Sequence, residues 1–103
     1  MASASATDTM PEGETPDSYT LGQNYPNPFN PSTSISFDLP AQSDVHLAVF
    51  DVLGRQVAQL ASGAFPAGSH SVTFDASRLQ SGLYIYRLDA GGQRIARTMS
   101  LVK

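Results

Sequence analysis

The sequence predicts an all-β domain, an antiparallel β-sandwich built from short strands. From Tyr19 onward, apolar residues recur at every second position in short segments, as they do in half-buried strands. Turns that contain glycine, aspartate or proline separate these segments. No stretch of the roughly 10–12 residues that a helix needs shows helical periodicity. The length of 103 residues suits one folded domain.

Six segments show the alternation that is typical of half-buried strands. In the first segment, Ile35, Phe37 and Leu39 alternate with polar residues. The third is irregular, because Val57 and Leu60 are three residues apart, and a β-bulge is expected there. In chain order the segments are Ser34–Pro40, Asp44–Asp51, Arg55–Ala61, Ser69–Asp75, Leu83–Asp89 and Arg94–Val102.

Turn residues connect these strands. Asp51–Gly54 predicts a tight hairpin in which Gly54 takes a positive φ. Gly91 and Gly92 predict a two-residue hairpin between the last two strands. Two longer connections are also expected. The first is a loop over Ser62–Gly68. The second is a crossover over residues 76–82, which has room for one helical turn around Leu79.

The first eighteen residues differ in composition from the rest. Apart from Met1 and Met10 they contain no large apolar residue, so they cannot bury enough surface to offset the entropy of ordering. We therefore predict a disordered acidic linker or an added tail over residues 1–18 and a folded domain over residues 19–103. The linker holds four of the nine acidic residues and no basic one, so its charge is −4 and the domain, with six basic and five acidic residues, carries +1.

Tyr25–Pro31 is rich in proline, which restricts the backbone and removes donors for strand pairing. We predict a strap that lays Tyr25 and Phe29 over an open end of the sandwich and protects a sheet edge. The alternative is a proline-rich ligand for the groove of a partner. The prolines of this strap are Pro26, Pro28 and Pro31.

Little in the sequence indicates catalysis. There is no cysteine, which excludes disulfides, thiolate zinc sites and cysteine nucleophiles. His46 and His70 fall on different predicted strands, and no Gly-x-Ser-x-Gly motif accompanies them. His46 alternates with apolar residues and is expected to face solvent, whereas His70 shares a face with Val72 and Phe74. We predict no enzyme activity and no zinc site.

Other ligands are also weakly indicated. Asp44, Asp51 and Asp75 fall at predicted strand ends, where a loop site for calcium could assemble, but aspartate is common there as a turn former. The small charge of the domain argues against nucleic-acid binding, and no apolar run is long enough for a membrane span. Sugar binding stays open, since aromatic platforms are common on β-sandwiches and the candidates here are Tyr25, Phe29, Phe50 and Phe65.

Motifs from about Leu21 to Lys103 follow one another in a distinctive order. They are Leu21–Pro31 with the Ile35–Pro40 strand, Phe50-Asp51 with Gly54-Arg55, Gly68 before His70–Asp75, Leu79–Gly82, Leu83–Leu88 and Arg97–Lys103. This order resembles the C-terminal sorting domain of cargo proteins of the type IX secretion system, also called the Por secretion system. Each motif is weak alone, but the six in order are specific.

The resemblance implies an immunoglobulin-like β-sandwich of about seven strands, fused behind a linker to an unrelated cargo domain. It implies that the cargo crosses the inner membrane by its own signal and that the outer-membrane translocon then recognises the sorting domain. A sortase-like protease would remove the domain, with a cut within or just before Ser18–Gln23, and the cargo would be secreted or held at the cell surface. The first residues lack a signal peptide, as expected for the tail of a longer precursor.

The last hairpin is the predicted site of recognition. After Asp89 the chain contains three basic residues and no acidic one, and its final strand could pair with a partner sheet. The alternative is that Met99 and Leu101 are ordinary core residues, so that deletion of Thr98–Lys103 would merely unfold the domain. The residues predicted to be read by the translocon are Gly82, Tyr84, Arg94, Arg97, Met99, Leu101, Val102 and Lys103.

The sequence thus predicts a non-enzymatic sorting and anchoring module without a cofactor. Its expected partners are the outer-membrane secretion translocon, the sortase-like protease and the fused cargo domain. A carbohydrate-binding or cell-attachment accessory module is the main alternative, and a plain spacer is another, because a β-sandwich fold alone does not decide between these functions.

Overall fold

The computed structural model describes residues 16–103 and shows that this part of the chain is all-β. Its strands are β1 (Thr20–Leu21), β2 (Ser32–Leu39), β3 (Ser43–Phe50), β4 (Gln56–Phe65), β5 (Gly68–Asp75), β6 (Gly82–Ala90) and β7 (Gln93–Leu101). The predicted fold class is confirmed, and each predicted segment overlaps one strand. Most of the predicted linker, residues 1–15, lies outside the described residues.

The strands form two antiparallel sheets that face each other across one core. The three-stranded sheet has the order β1-β2-β5, and the four-stranded sheet has the order β4-β3-β6-β7. The chain therefore changes sheet after β2, after β4 and after β5, which ties the two layers together. This is a β-sandwich, while the finer expectation of an immunoglobulin-like arrangement stays a prediction.

The core consists of the inward-facing residues of both sheets. Along β2, burial alternates at every residue, with Ile35, Phe37 and Leu39 at 1% exposure or less. Leu47 and Tyr86 face them from the four-stranded sheet and are also fully buried. Burial of each large apolar side chain contributes about 1.5–3 kcal/mol to folding, so these residues supply much of the stability of a domain this small.

The bulge expected in β4 is confirmed. The register between β3 and β4 shifts twice, so that Leu60 and Val57 have no direct partner on β3. An extra residue in one strand moves the following side chain to the same face, which explains the spacing of three between these residues. The bulges increase the local twist of β4, which is an edge strand of its sheet.

The turn predictions are confirmed, and one loop prediction is wrong. Gly54 has a φ of 85°, and the Gly91-Gly92 hairpin has φ values of 57° and 80°. The predicted loop over Ser62–Gly68 is wrong in extent, because β4 continues to Phe65 and leaves only two residues before β5. Its small residues pair with β3 through the backbone, which needs no apolar side chain. Residues 76–81 contain no helix and make one turn, in which Leu79 N donates to Ala76 O.

Candidate recognition surface

The predicted strap crosses the end of the sandwich but buries only one of its two aromatic residues. Phe29 is 2% exposed and packs against Phe74, with ring centroids 6.1 Å apart. Tyr25 is 80% exposed, which corrects the expectation that its ring covers the sandwich. Neighbouring residues of an extended chain point to opposite sides, and Asn24 occupies the inward side at 2% exposure. Tyr25 instead pairs through its backbone with Ser34.

Residues 21–29, which we call the clasp, lie along the free edge of β7. The Phe29 N–H donates to the Ser100 carbonyl, and the Val102 N–H donates to the Phe29 carbonyl, both at 3.0 Å. Asn27 Oδ1 accepts from Ser100 N at 3.0 Å. Gln23 Nε2 donates to the Thr98 carbonyl at 2.9 Å. The clasp therefore satisfies the outer edge of β7 from Thr98 to Val102, which an edge strand would otherwise leave open.

Buried polar groups hold the clasp in place. Tyr86 Oη accepts a hydrogen bond from Asn24 N at 2.8 Å and donates one to the Gly22 carbonyl at 2.7 Å. The Asn24 amide donates to the Pro26 carbonyl and to Thr33 Oγ1. Burial raises the pKa of Tyr86, so its hydroxyl stays protonated and able to donate. Within residues 16–103, every buried side-chain nitrogen and oxygen has a partner.

The first half of β7 keeps a free outer edge. In an antiparallel pair, successive residues alternate between bonding to the neighbouring strand and pointing away from it. Ser100 points away from β6, since its N–H and carbonyl bind the clasp. By that alternation, the backbone groups of Arg94 and Ala96 also point outward, and the clasp does not extend to them. Within residues 16–103, the backbone groups of Arg94 and Ala96 make no hydrogen bond to the clasp.

The eight predicted recognition residues divide into a buried and an exposed set. Tyr84, Met99 and Leu101 are buried at 8%, 1% and 1% exposure, so a partner of the folded domain cannot contact their side chains. Met99 lies opposite Tyr84 and Leu101 opposite Gly82 in the pairing of β6 with β7, which brings these residues together. The exposed set is Gly82, Arg94, Arg97, Val102 and Lys103.

The basic side chains of the last hairpin are only partly neutralised. Asp89 accepts from Arg94 Nε at 2.7 Å and from Arg87 Nε at 3.2 Å, so one carboxylate serves two cations. The hydrogen bond from Arg94, with the charges of both arginines, holds the pKa of Asp89 below its usual value. Arg97 Nε donates to the Leu21 carbonyl of the clasp. Lys103 Nζ donates to the Ser77 carbonyl at 2.7 Å. The surface therefore keeps an excess of positive charge.

The histidines take structural positions. His46 Nε2 lies 3.0 Å from Gln59 Oε1 on the solvent side of β3. His70 stacks on Phe37, with ring centroids 5.4 Å apart, and its Nε2 lies 2.8 Å from the Pro66 carbonyl. Their partners are an amide side chain and a backbone carbonyl, so neither histidine is paired with a nucleophile.

Several of the residues considered for calcium or sugar binding make contacts within the domain. Asp51 and Asp75 accept hydrogen bonds from backbone N–H groups of their own turns. Residues 16–103 contain no group of three or more acidic or histidine side chains that could hold a metal ion. Of the aromatic candidates, Phe29 is in the core and Phe65 packs edge-on against Phe37. Phe50 lies under the Arg87 guanidinium, 4.6 Å from its ring centroid.

An open depression of about 850 Å³ lies at the end of the sandwich where residue 19 enters. Its lining includes Tyr19, Ser43, His46 and Arg94. The Tyr19 hydroxyl is 3.0 Å from Ser43 Oγ, which fixes the start of the domain to the start of β3. The linker thus joins the sandwich beside the Gly91-Gly92 hairpin.

Together, these observations define a small β-sandwich module whose last strand is partly covered along its outer edge and carries basic side chains. The profile of one family, described as the secretion system C-terminal sorting domain, matches residues 23–102, and the chain belongs to this family. It is a sorting signal for type IX secretion, and it directs a fused cargo across the outer membrane to the cell surface or the medium. No curated protein is significantly similar to the chain. Residues 16–103 form no helix that is long and apolar enough to cross a membrane.

Sequence reasoning missed the residues that hold the clasp. Gln23, Asn24 and Asn27 bind partners more than 60 positions away, and no local pattern marks such contacts. One signal was available, since Tyr86 shares one face of the predicted strand Leu83–Asp89 with Tyr84 and Leu88, and a tyrosine hydroxyl that is buried needs a hydrogen-bond partner. That requirement indicates a polar segment packed over β6, although it does not say which one.

Proposed function

We propose that the outer-membrane translocon recognises this domain at the last hairpin, through the free edge of β7 and the basic side chains beside it. The observation that supports this most is the half-covered edge, where the clasp satisfies Thr98 to Val102 and leaves Arg94 and Ala96 open. Strand addition to an open edge supplies affinity through the backbone, and flanking side chains supply specificity.

The exposed members of the predicted set are the ones proposed to make direct contact. Arg94 and Arg97 flank the open edge, and Lys103 and Val102 follow where the strand ends. The buried members would act through the fold, because they keep β6 and β7 in register. The domain itself is proposed to be non-enzymatic and to need no cofactor, which leaves chemistry to the cargo and to the secretion machinery.

A sortase-like protease is the second proposed partner. Tyr19 is hydrogen-bonded to Ser43, and Leu21 is buried. A cut before Tyr19 would leave the folded domain intact, whereas a cut after Leu21 would remove β1 from its sheet. We therefore favour the first part of the range Ser18–Gln23 for processing, since exposed chain is the preferred substrate of proteases.

Deletion of Thr98–Lys103 is a poor test of recognition, because it removes the core residues Met99 and Leu101. A sharper test replaces Arg94 and Arg97 by glutamine in a reporter fused to the full chain. Export should fall about tenfold, which corresponds to about 1.4 kcal/mol of lost binding. The matched control replaces both by lysine, which keeps the charge and should keep most of the export.

Melting temperatures of all three proteins accompany the export assay, because Arg97 also binds the clasp. Loss of export in the glutamine variant, with a melting temperature equal to that of the lysine variant, supports charge recognition. Export of the glutamine variant at the level of the unmodified fusion contradicts it.

A further inference from the structure

Exposed apolar side chains gather at one end of the four-stranded sheet. Their exposed fractions are 64% for Val52, 73% for Leu53, 47% for Leu83 and 53% for Val102. Among the described residues, the only other exposed large apolar side chain is that of Tyr25, at 80%. Clustered apolar exposure marks interaction sites, whereas single exposed apolar residues are ordinary.

The strand register shows that the four residues share one end. Phe50, the last residue of β3, pairs with Ile85 of β6, so the turn after β3 lies beside the start of β6. Leu83, two residues earlier on β6, pairs with Ser100, which places the end of β7 at the same position. We call these side chains the distal patch: Val52, Leu53, Leu83 and Val102.

The turn that carries half of the distal patch is held by its own hydrogen bonds. Asp51 Oδ1 accepts from Leu53 N at 2.9 Å and from Arg55 N at 3.0 Å. Asp51 Oδ2 accepts from Arg55 Nε at 2.9 Å, and Gly54 N donates to the Asp51 carbonyl at 3.0 Å. A turn that is already ordered loses little entropy on binding, so its two apolar side chains are suited to act as anchors.

The distal patch lies at the end of the sandwich opposite to the cargo. The domain begins at Tyr19, which binds Ser43 at the start of β3 and contacts Gly91 between β6 and β7. The distal patch is at the other end of the same three strands. A cargo domain that precedes Tyr19 therefore leaves this end accessible.

The most exposed charge beside the turn of the distal patch is basic. Arg55 is ion-paired with Asp51 at 2.9 Å, but its side chain is 73% exposed, and Lys103 Nζ is bound to a neutral backbone carbonyl. Asp51 is 17% exposed at its side chain, and its oxygens are occupied within the turn. A complementary surface would offer apolar sockets with carboxylates at their border.

We propose that the distal patch is a second docking surface, which inserts Val52 and Leu53 into an apolar, carboxylate-bordered socket on a protein of the export machinery. This proposal rests on the sorting function. Val102 borders both surfaces, but the two anchors Val52 and Leu53 are separate from the edge of β7, because the turn after β3 is not part of the last hairpin. Two separate surfaces would let the machinery distinguish this domain from other small β-sandwiches, which also have edge strands.

The test uses a reporter fused to the full chain with Val52 and Leu53 replaced by serine. Both side chains are exposed, so the melting temperature should stay within about 4 °C of the unmodified chain. Export should fall roughly tenfold, as for the loss of an apolar anchor. The matched control is Tyr25→Ser, which removes an exposed ring that is not a member of the distal patch and should leave export unchanged.

The outcomes separate this proposal from the sorting function. Normal export of the Val52→Ser, Leu53→Ser variant overturns the distal patch while leaving the sorting function intact. Retention of the unmodified fusion in the periplasm overturns the sorting function, and with it the proposed role of the distal patch. If the double variant melts early, Leu53→Asn alone replaces it, since asparagine suits turns. Loss of export in that single variant supports the proposal, and normal export overturns it.

Discussion

Tyr86 donates a hydrogen bond of 2.7 Å to the backbone carbonyl of Gly22, although 64 positions separate the two residues. The same hydroxyl accepts from Asn24 N, so one buried side chain of β6 holds the start of the clasp. The clasp in turn covers the second half of β7. The beginning and the end of the domain are therefore stabilised together.

Tyr86→Phe should destabilise the domain by about 2 kcal/mol, because it leaves the buried Asn24 N–H and the Gly22 carbonyl without this partner. For a domain of this size the melting temperature should fall by roughly 10 °C. The control is Tyr84→Phe, whose hydroxyl donates to the carbonyl of the exposed residue Gln80. Water can replace that hydrogen bond, so Tyr84→Phe should lower the free energy of unfolding by only about 0.5 kcal/mol. Equal melting temperatures for the two variants would refute the anchoring role of Tyr86.

Removal of residues 1–31 should lower the melting temperature far more than removal of residues 1–18. The longer deletion removes Leu21 and Phe29, which are 3% and 2% exposed, and it uncovers β7. Loss of two core side chains costs about 4 kcal/mol or more, a large part of the stability of a small domain. Thermal unfolding of the two truncated chains and the full chain measures this difference. Comparable decreases in both truncated chains would show that the clasp does not stabilise the fold.

Gly91→Ala should destabilise the domain more than Gly92→Ala. Both glycines have a positive φ, at which alanine costs about 1 kcal/mol. A Cβ at Gly91 would also lie 2.0 Å from the Tyr19 hydroxyl, whereas a Cβ at Gly92 would meet no atom within 4 Å. The Tyr19 ring must therefore move and lose its bond to Ser43. Denaturant unfolding compares the variants, and addition of Tyr19→Ala to both should remove the difference between them. A difference that persists in those double variants would contradict this contact.

Acid should destabilise the domain partly through Asp89. Its pKa in the folded state is lower than its usual value of 3.8, chiefly because of the hydrogen bond from Arg94. Protonation therefore favours the unfolded state, so the stability is present above about pH 4 and is lost as the pH falls through the folded-state pKa. A surface ion pair contributes roughly 0.2–1 kcal/mol, which sets the size of the effect.

Thermal unfolding between pH 7 and pH 3 tests this contribution. Asp89→Asn should make the acid limb of the stability curve shallower than that of the unmodified chain. Asp44→Asn is the control, since Asp44 is exposed and forms no ion pair within residues 16–103. The same slope for Asp89→Asn and for the unmodified chain would argue against this role of Asp89.

Most of the sandwich was predictable because its strands are half-buried. The alternation in β2 and β6 reflects contact with the core at every second residue, and this is visible in a single sequence. β1 escaped prediction, because Thr20–Leu21 is too short to show a period. The end of β4 was not predicted for another reason. Its small residues are held by backbone pairing with β3, which requires no pattern of apolar side chains in the sequence.

The candidate surface was predictable only in part. The basic character of the last hairpin follows from the order of charges along the chain, and Arg94 and Arg97 are indeed exposed. The burial of Met99 and Leu101 and the cover that the clasp gives to β7 depend on packing between distant segments. Alternation alone predicts an inward face for these residues, but it does not predict which polar segment closes the edge.

Export of a reporter through the type IX system tests the central claim most directly. The reporter carries an N-terminal signal for inner-membrane transport and the full chain at its C-terminus, and it is expressed in cells with and without the outer-membrane translocon. We predict that the reporter reaches the cell surface or the medium only in cells that have the translocon, and that it stays in the periplasm without the fused chain. Retention of the fusion in the periplasm of translocon-containing cells would contradict the sorting function.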